Sequence, residues 1–439
     1  MGASSAGKSR VSDGSEFMAR TVLDSGVQVL TEKMPSVRSA AVGIWVRQGS
    51  AHESIADAGI SHMLEHMVFK GTARRTAAEI AIALEGLGGS LDAYTSREHT
   101  SFQARVLDEH VPEAMDVLAD LVIGPLITQD DLDLEREVVL EEIAQVDDTP
   151  DDLVFELHAE QLWDGHPYGR SILGTQRSVE CMTAEKLRVL QQKSYKPNNL
   201  IVAAAGRVEH EKFAERVDRL FDSCGSGDIM DHVDPPRTTS GGIAYETRES
   251  AQTHIVFGSE VPGHSDPDRY PLILLSSALG SGMSSRLFQR IREELALCYS
   301  VYTYQSFYSV SGVSGVYLGT RPSTAEKASN AVREELLRVA REGLKEDEIE
   351  RVKQQVKGHV MLSLESSGSR LHRLASFALN NEPLTGLTEL LSKIDAVTVD
   401  DVLRVAKSVG DTRFCDSTKG DDMASCSAFH LDPFETLKA

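Results

Sequence analysis

Residues 59–72 read GISHMLEHMVFKGT, and the spacing predicts a short amphipathic helix with His62 and His66 one turn apart. At positions i and i+4 two imidazoles leave one helix face about 6 Å apart, close enough to share a metal ion. Glu65 comes one residue before the second histidine, so its carboxylate lies beside such a metal rather than across the helix. Lys70-Gly71 supplies a helix stop. A surface helix can carry two histidines and a glutamate by chance, so the reading depends on whether the chain offers a further ligand.

A catalytic zinc takes three protein ligands and keeps a fourth position for water. The segment LEREVVLEEIAQ (134–145) presents Glu135 and Glu142 seven residues apart, two helical turns, on one face. Glu141 is turned about 100° away from that face. Carboxylates stacked along a buried face are costly unless they neutralise something. A solvated, salt-laced helix is the other reading of any glutamate-rich run.

Outward from these two stretches the chain alternates strand and helix patterns. VQVLTEKMP (27–35) and RSAAVGIWVRQGS (38–50) read as strands, and SLDAYTSREHTSFQARVL (90–107) reads as a hairpin. Within that hairpin Glu98 and His99 are expected as a surface strand pair. Helices are predicted over 76–87, opening on the capping box TAAE, over 111–122, and from TQDD (128–131) to about 145. Further helices cover 151–163 and 209–221, and LIVAAAG (200–206) is a strand. Residues 223–242, rich in Gly, Ser, Pro and Asp, form the linker. Beyond it a strand, a helix, a strand pair and a helical cluster recur, which predicts an internal duplication. The expected fold is α+β, two related domains, each a mostly antiparallel sheet packed with helices. Their expected ranges are 18–222 for the metal-binding domain and 243–439 for the second. Residues 1–17 are expected to be a disordered leader or tag, and the tail after 408 to be irregular, with no strand to match LIVAAAG.

Composition excludes several classes. The 439 residues suit two or more cores. Lys+Arg 45 against Asp+Glu 67 gives a net charge of −22, which argues against nucleic acid as a partner. No apolar run approaches the roughly 18 residues of a membrane span. Five cysteines (181, 224, 298, 415 and 426) stand without CxxC spacing, so neither a disulfide framework nor a zinc knuckle is expected.

Five motifs together resemble the metallopeptidase family of pitrilysin, insulysin and mitochondrial processing peptidase, in particular its bacterial processing-peptidase-like members. They are HMLEHMVFKGT (62–72), GGSLDAYTSREHT (88–100), EREVVLEEI (135–143), HPYGRSILGT (166–175) and YKPNNLIVAAAG (195–206). HxxEH is the inverzincin signature. The resemblance covers about 21–408 and implies one Zn2+ per chain, held by His62, His66 and Glu142, which stands 76 positions beyond His66. It implies Glu65 as general base and Glu135 as a carboxylate orienting the site. Zinc would lower the pKa of its water towards ~7 and polarise the scissile carbonyl. Glu65 would take the water proton and return it to the leaving amine.

The likeness extends to substrate binding. SRLFQRIREELALCYSV (285–301) resembles the family's Arg…Tyr element, which implies that Arg292 and Tyr299 act at the substrate. The strand carrying Gly89, Asp92, Ala93 and Tyr94 resembles the edge that takes an extended peptide by strand addition. Asp92 departs from the family's usual Asn and cannot donate a side-chain N–H. The implied function is a zinc metalloendopeptidase acting on unfolded peptides or presequence-like segments. The alternative is a catalytically silent partner subunit, which a missing ligand would mark. A homodimer is expected, with Arg292 and Tyr299 completing the partner's site, and the expected compartment is the bacterial cytoplasm.

Overall fold

The apolar run SAAVGIWV forms an interior strand of the first sheet, and both faces of that strand are covered. Ala40, Val42, Ile44 and Val46 enter one apolar core, whereas Ala41 and Trp45 enter another on the opposite face. The computed structural model describes residues 8–12, 17–225, 227–230, 232–237, 242–247, 250–411 and 427–432. In chain order the strands are β1 (Lys8–Ser12), β2 (Phe17–Val22), β3 (Gln28–Lys33), β4 (Ser39–Val46), β5 (Ser90–Thr95), β6 (Thr100–Leu107) and β7 (Leu200–Gly206). There follow β8 (Gly242–Thr247), β9 (Thr253–Val261), β10 (Cys298–Phe307), β11 (Gly312–Thr320) and β12 (Ser427–Asp432). The helices of the first half are α1 (Ile60–Val68), α2 (Ala77–Glu85), α3 (Val111–Ile123), α4 (Gln129–Asp148), α5 (Pro150–Leu162), α6 (Gln176–Glu180), α7 (Ala184–Ser194) and α8 (His210–Phe221). Those of the second are α9 (Arg269–Gly280), α10 (Ala325–Glu342), α11 (Glu346–Ser363), α12 (Ser367–Leu379), α13 (Leu387–Asp395) and α14 (Val399–Asp411).

Two compact units result. The first comprises 1–143, 171–232 and 361–390, the second 144–170, 233–360 and 391–439. Relative to the continuous ranges 18–222 and 243–439, each half of the chain therefore lends the other a helix-bearing segment. In the first unit the sheet order is β1-β2-β3-β7-β4-β6-β5, with only β3 and β7 parallel. One face packs on α1, α3, α7 and α8, and the other is covered by Leu371, Leu374, Ala375, Phe377 and Ala378 of α12. In the second unit the order is β10-β11-β9-β12-β8, with β8 and β12 parallel. There Ile255 and Phe257 of β9 face the core shared with α9, α10 and α14, while Val256 packs on Val154 of α5.

The expected α+β fold and duplication are present, and the topology is closer than the pattern implied. Order β3-β7-β4-β6-β5 repeats as β8-β12-β9-β11-β10, with the parallel pair in the same place. That repeat corrects the reading of the tail: Ser427–Asp432 fills in the second sheet the position that LIVAAAG fills in the first. Six residues with no core of their own carry little local strand signal, and pairing on both sides supplies the rest. The leader is corrected likewise, since Lys8–Ser12 pairs antiparallel with β2. Residues 1–7, 13–16, 412–426 and 433–439 lie outside those described.

The predicted caps are made. Thr76 and Glu79 exchange backbone and side-chain hydrogen bonds at the start of α2, and Thr128 accepts from the Asp131 N–H before α4. Cys181, Cys224 and Cys298 are free thiols, and Cys415 and Cys426 lie outside the described residues. Among the described residues no helix is long and apolar enough to cross a membrane.

Candidate metal centre

Helix α1 is oriented by its apolar face. Ile60, Met63, Leu64, Met67 and Val68, at helical spacing, enter the first core and leave His62 and His66 on the other side. Its start is built by Gly59 at φ 87°, where an added Cβ would meet the Leu173 carbonyl at 2.4 Å. The buried Glu53 carboxylate then accepts the N–H groups of Gly59 at 2.7 Å and Ser61 at 2.8 Å. Helix α4 is seated by Leu132 and Val139, which brings Glu135 to a buried position and Glu142 two turns further on. Glu141 is exposed.

Three donor atoms converge. Nε2 of His62 and Nε2 of His66 are 3.2 Å apart, and Oε2 of Glu142 lies 3.6 Å from the first and 3.7 Å from the second. Ligands at about 2.0–2.1 Å from a tetrahedral zinc lie roughly 3.4 Å from one another, so the set fits that ion. Burial, and then the neighbouring His66, push the His62 imidazole down to about 4, which keeps it neutral and able to ligate.

Glu135 governs His66. Its Oε1 is 2.8 Å from His66 Nδ1, and because a carboxylate accepts, Nδ1 carries the proton and Nε2 presents its lone pair. Burial alone would raise the Glu135 carboxyl, but hydrogen bonds from Lys70 and His66 outweigh it and hold the group below its ordinary range. Lys70, read from sequence only as part of a helix stop, is thus paired with Glu135. At i+4 from His66 it was within reach of that reading. The buried Nδ1 of His62 has no such partner among the described residues.

Glu65 reaches the strand at one end of the sheet order. Its Oε2 accepts the Thr95 hydroxyl at 2.6 Å, across from α1 to β5. Burial is the main cause that lifts its carboxyl above the usual range, with Thr95 and His66 opposing and Glu142 adding. That direction makes the carboxyl readier to take up a proton than an exposed glutamate. The buried phenol of Tyr195 is pushed up by burial and then by the charge of Glu65. Neither Thr95, Tyr195 nor Glu53 was singled out from sequence. Thr95 and Tyr195 meet Glu65 only across tertiary contacts, and Glu53 bonds N–H groups six and eight residues on through an irregular connection, so no regular spacing announces any of them.

Among the described residues strand β5 pairs only with β6, in the register Asp92↔Gln103, Ala93↔Phe102 and Tyr94↔Ser101, so its other edge is unpaired there. Gly89 precedes it and Asp92 is exposed, while Ala93 packs against the core. Tyr94 stacks on His372 of α12, with ring centroids 6.2 Å apart. The reading of Glu98 and His99 as a surface strand pair is corrected. Both lie in the connection from β5 to β6, where Ser96 binds His99 through its backbone N–H and its hydroxyl. Burial, then His372, Arg47 and His52, push the His99 imidazole down to about 4.

In the second unit, Arg292 lies on a wide helical turn, Phe288–Glu294. Its guanidinium stands over the rings of Phe288 at 4.7 Å and Tyr299 at 4.9 Å. The structure therefore brings Arg292 and Tyr299 to each other, and Tyr299 is 74% exposed at the start of β10.

Residues 28–176 match the family described as insulinase (peptidase family M16), and 182–356 match the peptidase M16 inactive domain. An uncharacterized zinc protease of Streptomyces coelicolor is 40% identical over 399 residues, spanning 89% of this chain and 86% of that protein. The uncharacterized zinc protease YmxG of Bacillus subtilis is 36% identical over 397 residues, spanning 90% and 96%. A protease from Helicobacter pylori superposes with a TM-score of 0.87 over 95% of this chain and 99% of that one, at 23% identity, which bears on the fold alone.

Proposed function

This chain belongs to the insulinase family of peptidases, family M16, and on that premise we propose that it is a zinc-dependent endopeptidase that hydrolyses unfolded peptides. The observation that carries the reading is the convergence of two imidazole Nε2 atoms and one carboxylate oxygen at 3.2–3.7 Å, with Glu65 on the same helix. A bound zinc supplies the Lewis acid that activates the attacking water and polarises the scissile carbonyl. His62, His66 and Glu142 hold it, and Glu135 keeps His66 in the ligating tautomer. Glu65 takes the proton from water and delivers it to the leaving amine.

The substrate is an extended peptide added beside β5, with Gly89, Asp92, Ala93 and Tyr94 along the pairing strand. Backbone pairing makes the binding tolerant of sequence and demands an unfolded segment. The proposal extends to a cytoplasmic homodimer, in which Arg292 and Tyr299 serve the partner's substrate. The name of the matched inactive domain concerns 182–356, which carries neither histidine of the cluster.

The test is elemental analysis of the purified protein, paired with cleavage of an unstructured peptide library before and after chelation. One zinc per chain and chelator-sensitive cleavage restored by zinc are expected. Zinc-replete protein that cleaves nothing would overturn the enzyme reading in favour of a silent partner subunit.

A further inference from the structure

The base proposed for the reaction is held from the strand proposed to hold the substrate. Thr95 is the last residue of β5, and its hydroxyl crosses to α1 to donate to Oε2 of Glu65 at 2.6 Å. An O–H···O⁻ bond of that length is charge-assisted and strong. Thr95 is fixed in turn: it pairs with Thr100 of β6, and the next residue, Ser96, closes the connection onto His99. Glu65 is 9% exposed, and the backbone N–H of Thr95 also acts on its carboxylate. The terminal torsion of a glutamate is soft and broad, so without a partner the carboxylate plane would wander. We infer that Thr95 is a positioning residue: its hydroxyl ties down Oε2 of Glu65, so that the strand pairing with the peptide also aligns the base.

This inference rests on the proposed peptidase activity. Thr95→Val keeps the shape and removes the donor, and Thr95→Ala serves if valine disturbs the strand. With an unstructured peptide, kcat should fall about 10- to 100-fold, as expected for a lost hydrogen bond to a charged group, while KM stays within about twofold. Zinc content should stay as in wild type, Tm should fall by no more than about 10 °C, and Thr95→Ser should restore kcat. In a Glu65→Gln background Thr95→Val should cost nothing further, because the group it acts through is gone. Wild-type kcat in Thr95→Val, an equal loss in Thr95→Ser, or a further multiplicative loss in the Glu65→Gln background would each overturn the role of Thr95. An inactive wild-type protein would overturn the peptidase reading together with it, whereas an active wild type beside an equally active Thr95→Val sinks this inference alone.

Discussion

Nδ1 of His66 stands 2.8 Å from Oε1 of Glu135, and the same carboxylate is paired on its other oxygen with Lys70. The glutamate is 6% exposed, so its charge in the interior depends on such partners. One carboxylate thereby faces Nδ1 of His66, and one lysine, a helical turn beyond that histidine, helps to keep the carboxylate ionised.

Glu135→Gln keeps an acceptor near His66 but removes the charge. Zinc affinity should weaken by about 10- to 100-fold, the usual cost of losing a partner behind a ligand. Competition with a chromophoric chelator measures it, and an unchanged dissociation constant would show that His66 is oriented by something else.

Glu142 and Glu141 are neighbours in sequence but not in space. Glu142 lies within 3.7 Å of both imidazoles, while Glu141 is exposed. Glu142→Gln should lose most of its zinc and Glu141→Gln should retain it. Equal retention in elemental analysis defeats the ligand assignment.

Glu65 should separate from the ligands. Glu65→Gln removes proton transfer without removing a ligand, so zinc stays while turnover drops by ~10²–10⁴-fold. Near-wild-type turnover in this variant, measured on the same peptide, would exclude Glu65 as the base.

His158 of α5 offers a test of stability in the second unit. It is 2% exposed, 3.1 Å from the Tyr304 hydroxyl, and an added Cβ on Gly258 would come within 2.4 Å of its ring. Burial pushes its imidazole down from 6.5 to about 4. Between those values the unfolded chain binds the extra proton, so stability is full above about 6.5 and is lost as pH falls towards 4, by on the order of 3 kcal/mol at most. The urea midpoint should therefore drop between pH 7 and pH 5 by more in wild type than in His158→Gln. Parallel pH profiles for the two proteins would refute the burial argument.

Complementation tests the homodimer. Glu65→Gln and Arg292→Ala/Tyr299→Phe, each inactive, are mixed under conditions of proven subunit exchange. Half the dimers are then mixed and each carries one intact site, so roughly a quarter of wild-type sites should return. No recovery means that the site is completed within one chain or that Arg292 and Tyr299 act elsewhere.

What was legible in the sequence was short-range. Helical spacing placed His62 and His66 together, the same spacing put Glu135 and Glu142 on one face and Glu141 off it, and the two capping boxes opened α2 and α4 where they were expected. These follow from a rise of about 1.5 Å and 3.6 residues per turn, which any reader of the chain can apply. The repeat of strand and helix patterns likewise carried the α+β class.

The tertiary structure alone decided the rest. Ser427–Asp432 becomes a strand only because β8 and β9 stand ready on either side. Helix α12 covers the first sheet and α5 the second, an exchange that periodicity does not encode, because an amphipathic face specifies that it must be buried but not against which partner. The same holds at the centre. Thr95 reaches Glu65 across 30 residues of chain and Glu135 reaches His66 across 69, and such pairs exist only once a strand and two helices have been packed to within a hydrogen bond of one another.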